Sequence, residues 1–174
     1  GMELGYYVAA SALSSAFGFF PIILCASFAP KIAGITKDAD RVQFFTKLNS
    51  ILLWSGALLS VAIIVVADYL IYHLYGSGYK NSSIILKIQA LSLMPIFLSV
   101  ANDYLALSSG KGRVTLIRTI FGLFLNITFN YILIPRLGAL GAAVSGLLAH
   151  VISNTFIYWI FMRDSFFMHM QAVA

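Results

Sequence analysis

The chain has 174 residues, of which 60 % are hydrophobic and only 10 % charged, with a mean hydropathy of +0.92. A soluble domain of this size has too little interior to hide that much apolar surface, and so little charge excludes a disordered tail or a coiled coil. The composition is that of an integral membrane protein.

The net charge of +5 does not indicate nucleic-acid binding. The 11 Lys and Arg residues sit between long uncharged runs, where membrane loops carry their anchors, and form no stripe. A single cysteine, Cys25, excludes a disulfide framework and any Cys-based metal centre. No His/Cys/Asp/Glu spacing suits a metal, and neither a Ser-His-Asp set nor a phosphate-cradling glycine loop is present. No metal, no cofactor and no enzymatic activity are therefore expected.

The uncharged runs give the elements in chain order. Leu4 to Pro30 is 27 residues, Leu48 to Ala67 is 20, Thr119 to Pro135 is 17 and Leu137 to Met162 is 26. A further segment, Ser82 to Ser108, carries Lys87 near its start and Asp103 near its end. About 20 apolar residues cross the hydrocarbon as a helix. The runs are continuous and do not alternate as barrel strands must. The expected fold is an all-helical membrane bundle forming a single domain over 1–174, with five spans at about 4–30, 48–72, 82–108, 114–135 and 137–162. Charge alternates with apolar Val42, Phe44, Phe45 and Leu48 between the first two spans. An amphipathic helix on the cytoplasmic surface is expected there, at 31–47.

Loop charge sets the orientation. Eight Lys and Arg residues (Lys31, Lys37, Arg41, Lys47, Lys111, Arg113, Arg118 and Arg163) fall on one side and three (Lys80, Lys87 and Arg136) on the other. The positive-inside rule places the first loop, the 108–112 turn and the C-terminus in the cytoplasm. The N-terminus is then outside, with no charged n-region ahead of the first span. This is expected of the C-terminal part of a longer protein. Tyr69, Tyr72, Tyr75 and Tyr79 form an aromatic belt at the outer face, where Asp68 is expected to be solvated.

Polar groups at membrane depth usually face other helices or a water-filled cavity. In the fourth span Arg118, Gly122, Asn126 and Asn130 recur every four residues, a single face roughly 18 Å long. The fifth span has Gly146, His150 and Asn154; the third has Ser92, Ser99 and Asp103; the first has Ser11, Ser15 and Gly18. One polar face per helix suggests a shared cavity. Each residue also has a plainer reading. Asn126 and Asn130 can be helix–helix glue, His150 a packing residue, and Asp103 with Arg118 an ion pair, since the two are equidistant from the turn between their helices. Pro21 and Pro95 each remove a hydrogen bond from a helix interior, so kinks are expected at both. The small residues of Gly138 to Gly146 permit close packing.

The opening LGYYVAASALSS…FFPIILCASFAPKIAG, the outer loop LYGSGYKNSSIIL and the stretch NITFNYILIPRLGALGAAVSG together resemble the bacterial polysaccharide (O-antigen) flippases. These belong to the multidrug/oligosaccharidyl-lipid/polysaccharide exporter superfamily. The resemblance covers about residues 4–162. It implies helices eight to twelve of a twelve-helix protein whose two six-helix lobes flank a central cavity; the first lobe and the seventh helix are missing. It also implies the function: moving an oligosaccharide on undecaprenyl pyrophosphate across the bacterial inner membrane. The implied partners are the lipid-linked oligosaccharide, the bilayer and the missing N-terminal lobe. On that reading Arg118 is the candidate cation for the pyrophosphate, and Asn126, Asn130 and Asn154 are candidates for sugar hydroxyls. A multidrug extruder, with Asp103 as its embedded acid, and a truncated non-transporting scaffold are the competing readings.

Overall fold

A computed structural model describes residues 2–35 and 38–161. Lys37, Met162 and Arg163 lie outside the described residues. All regular structure among the described residues is helical. The helices are α1 (Met2–Ala33), α2 (Asp38–Tyr75), α3 (Lys80–Leu91), α4 (Leu93–Ser108), α5 (Gly112–Leu137) and α6 (Ala139–Phe161), with one 3₁₀ turn at Ser77–Tyr79. Among the described residues, five segments are long and apolar enough to cross a membrane: Met2–Phe28, Gln43–Tyr75, Ser77–Ser108, Gly112–Leu137 and Ala139–Phe156. Helices are the expected outcome, because hydrocarbon offers backbone N–H and C=O groups no partner outside their own segment.

One expectation needs correction. The amphipathic stretch after the first span is not a separate helix. From Asp38 onward it forms the opening turns of α2, which runs unbroken to Tyr75. Nothing between Asp38 and Asn49 breaks a helix: there is no Gly or Pro, and the residues are good or neutral helix formers. The third span, Ser77–Ser108, remains one crossing, divided into α3 and α4 at the kink expected from Pro95. It breaks at Ser92, immediately after Leu91, whose carbonyl would have paired with the N–H that Pro95 lacks. Pro95 thereby sits in the first turn of α4, where its ring is tolerated. Pro21, by contrast, is buried within an α1 that stays helical from Met2 to Ala33.

The core lies where α2, α3 and α4 meet. Phe45, Leu52 and Ile71 of α2, Ile85 and Leu86 of α3, and Leu93 and Phe97 of α4 are its large buried side chains. Gly56 lets α4 approach closely: a Cβ there would lie 3.1 Å from the Phe97 ring. α1 packs across α3 and α4, and α6 closes the bundle against α3 and α1. α5 packs chiefly on α6 as a hairpin. Its outward side chains, among them Leu116, Leu123, Phe124 and Tyr131, are exposed.

The turns at the 75–80 end of the bundle are tied by specific bonds. Asp68 is exposed but not merely solvated; it pairs with Lys87 at 2.7 Å and accepts from Ser83. Gly138 takes φ 57° to turn α5 into α6, and the Ala139 N–H that opens α6 donates to Glu3 Oε2 of α1 at 3.0 Å. Tyr6 meets Tyr79 edge-on at 5.9 Å.

Candidate functional site

Three helices bring one ionic network together. Asp103 of α4 receives Arg118 of α5 on both oxygens, from Nη2 to Oδ2 at 2.6 Å and from Nε to Oδ1 at 3.2 Å. This bidentate fit is the strongest pairing open to a guanidinium. The remaining nitrogen, Nη1, donates to Asn154 Oδ1 of α6 at 3.1 Å. The Asn154 amide in turn donates to the Pro95 carbonyl at 3.0 Å. The side chains of Arg118 and Asp103 are only 13 % and 20 % exposed. Water therefore competes little for either, and the pair holds α4, α5 and α6 at a common depth. Equal distance from the turn at Gly110 is what aligned them.

A separate, uncharged cavity of about 250 Å³ opens between α1, α3, α4 and α6. Ser11 and Ser15 of α1, Gln89 of α3, Ser92 at the break, and Gly146 and His150 of α6 are among its lining. Gln89 Nε2 donates to Ser11 Oγ at 2.7 Å, while its Oε1 has no hydrogen-bond partner among the described residues. Neither Lys, Arg, Asp nor Glu occurs among the described lining residues. A Cβ placed on Gly18 or on Gly146 would meet nothing within 4 Å, so both glycines border open space.

The polar faces expected from the sequence thus divide between two places. Ser11, Ser15, Gly18, Ser92, Gly146 and His150 meet at the cavity. Asp103, Arg118 and Asn154 meet at the network. Asn126 and Asn130 reach neither; the Asn130 amide donates to Asn126 Oδ1 one turn back at 2.9 Å. Ser99 turns back on its own helix, donating to the Ile96 carbonyl at 2.8 Å. Gly122 serves close packing, since a Cβ at that position would lie 3.1 Å from Ser153 Oγ. Sequence reasoning missed Gln89, although it precedes Ser92 by three residues and so shares its face. It also missed Asn49 of α2, whose amide donates to Asn102 Oδ1 of α4 at 2.9 Å. A larger cavity of about 450 Å³ lies between the ends of α1 and α2, where Lys31 Nζ sits 5.5 Å above the Phe44 ring.

Comparison with known proteins gives one distant similarity of note. The chain is 24 % identical over 150 residues to the capsular polysaccharide biosynthesis protein CapF of Staphylococcus aureus. The match covers 84 % of this chain but 38 % of that protein. The chain thus spans well under half the length of this relative. No protein-family profile matches the chain, and no solved structure does. The chain is a multi-pass membrane protein distantly related to a capsular polysaccharide biosynthesis protein.

Proposed function

We propose that this chain is part of a transporter that moves a lipid-linked oligosaccharide, the repeat unit of a surface polysaccharide carried on undecaprenyl pyrophosphate, across the bacterial inner membrane. The observation that carries the reading is the polar cavity at Ser11, Gln89, Ser92 and His150, held inside a bundle whose outer faces are apolar. Hydroxyl and amide groups at membrane depth are costly unless partnered. A cavity lined with them suits a cargo that brings its own hydroxyls. The distant similarity to a capsular polysaccharide biosynthesis protein supports a polysaccharide precursor as the cargo.

The chain's own residues suggest how such a cargo is passed. The cavity wall is shared by α1, α3, α4 and α6, and the ionic network joins α4, α5 and α6. Ser92 divides α3 from α4. Bending there swings α3 away from the α4 and α6 parts of the wall while the network stays closed, and this is the kind of motion a carrier needs to open alternately to either side. Asp103 is a poor candidate for ion coupling, because Arg118 occupies both its oxygens.

The test is a deletion of the full-length gene in its source strain. Surface polysaccharide should fall and undecaprenyl-pyrophosphate-linked repeat units should accumulate, with susceptibility to cationic drugs unchanged. Normal surface polysaccharide together with increased drug susceptibility would overturn the proposal in favour of an extruder.

A further inference from the structure

We infer that the cavity between α1, α3, α4 and α6 is a subsite for one uncharged sugar ring of the cargo and excludes its pyrophosphate. This rests on the transport reading above and deepens it. Three observations bear on it. First, the described lining sets Ser, Tyr, Gln and His groups among apolar Leu93, Ile96, Ala142 and Ala143, with no Lys, Arg, Asp or Glu. Serine hydroxyls and amides both donate and accept, as sugar hydroxyls do, so such a wall pairs with a polyol in several orientations. A pyrophosphate carries concentrated negative charge, and moving it into an uncharged wall at membrane depth would leave that charge uncompensated.

Second, the nearby cation is already used. Arg118 gives both Nε and Nη2 to Asp103 and Nη1 to Asn154. A phosphate would have to displace a carboxylate that is only 20 % exposed and held in bidentate geometry, so the pyrophosphate must be met by residues outside this chain's cavity. Third, size and satisfaction fit a single ring. The volume of about 250 Å³ falls below the roughly 300–1,000 Å³ of pockets that take drug-sized ligands. Gln89 Oε1 and the open sides of Gly18 and Gly146 leave an acceptor and free space within it. Tyr7 adds an aromatic side chain to the lining, with apolar area and a hydroxyl to offer a pyranose.

The test uses the full-length protein with its other cysteines replaced, in membranes of a strain whose deletion accumulates the lipid-linked repeat unit. Gly146→Leu and, separately, Gly18→Leu put a side chain into the cavity from positions where a Cβ meets nothing within 4 Å, and export is compared with wild type at equal membrane levels, checked by immunoblot. Export should fall by about tenfold or more, the scale of losing hydrogen bonds to buried polar groups. Gly146→Cys then reports on occupancy. Free oligosaccharide released by mild acid from the accumulated lipid should slow its labelling by a small maleimide, and inorganic pyrophosphate should not. Wild-type export by both leucine variants at wild-type levels overturns the inference, as does protection by pyrophosphate equal to that by the oligosaccharide. Neither result touches the transport reading, which the deletion strain decides by its surface polysaccharide, its accumulated lipid-linked repeat units and its drug susceptibility.

Discussion

Arg118 has all three guanidinium nitrogens engaged within the chain, and its environment decides what substitution does. Removing one partner of a nearly covered ion pair strands the other, at a cost of about 3 kcal/mol or more. Asp103→Ala should therefore lower the thermal stability of the purified protein sharply, and Arg118→Ala similarly. The double variant should be more stable than the sum of the two losses predicts. A double-mutant cycle by thermal unfolding checks this: additive losses would mean that the pair contributes nothing. The pairing itself was legible in the sequence, since antiparallel helices place residues equidistant from a turn at one depth. Asn154 as the third partner was not, because periodicity gives its face on α6 but not which neighbour that face meets. The same limit applied to Asn126 and Asn130, which share a face with Arg118 but bond to each other.

Single helices carry predictions of their own. The α5–α6 hairpin closes because Gly141 lies against the α5 backbone; an added Cβ would fall on the Leu133 carbonyl and 2.9 Å from the Ile134 nitrogen. Backbone cannot swing away as a side chain can. Gly141→Ala should thus cost about 1–3 kcal/mol, as overpacking does, whereas Gly146→Ala, facing open space, should be neutral or slightly stabilising. Comparing their melting temperatures tests the contrast. Glu3 accepts from the first N–H of α6, so Glu3→Ala should cost about 1 kcal/mol, the usual loss of a helix cap. The small-residue run of Gly138 to Gly146 announced the close packing, but it could not show which glycine bears on backbone. The break in the third span was legible through Pro95 as a kink, and its place follows from the carbonyl that a proline leaves unpaired. The unbroken α2 was less legible. Its charged opening looks like a surface segment, yet helix propensity lets one helix run on from water into lipid.

At the scale of the whole molecule, the sequence specified five apolar helices, because hydrocarbon permits few other ways to satisfy a backbone. It specified less of what they enclose, since lipid-facing and partner-facing surfaces are equally apolar and leave no contrast to read. Orientation is open to direct test. Ser77 and Lys111 are exposed at opposite ends of the bundle, and Cys25 is fully buried. On intact spheroplasts a membrane-impermeant maleimide should label Ser77→Cys at once, and Lys111→Cys only after the membrane is opened. The reverse pattern would invert the topology.

The length of α2 carries a mechanical consequence. Its 38 residues make a rod roughly 57 Å long, close to twice the roughly 30 Å of hydrocarbon. Towards its C-terminal end Asp68 is fastened to Lys87 and Ser83, and near its N-terminal end Phe44 rests against Phe28 of α1. The first half is fastened too, where Phe45 and Leu52 are buried and Asn49 donates to Asn102 of α4. A rod held along its length cannot tilt alone: it carries α3 and α4 with it, so a rearrangement at one face of the membrane reaches the other through the bundle.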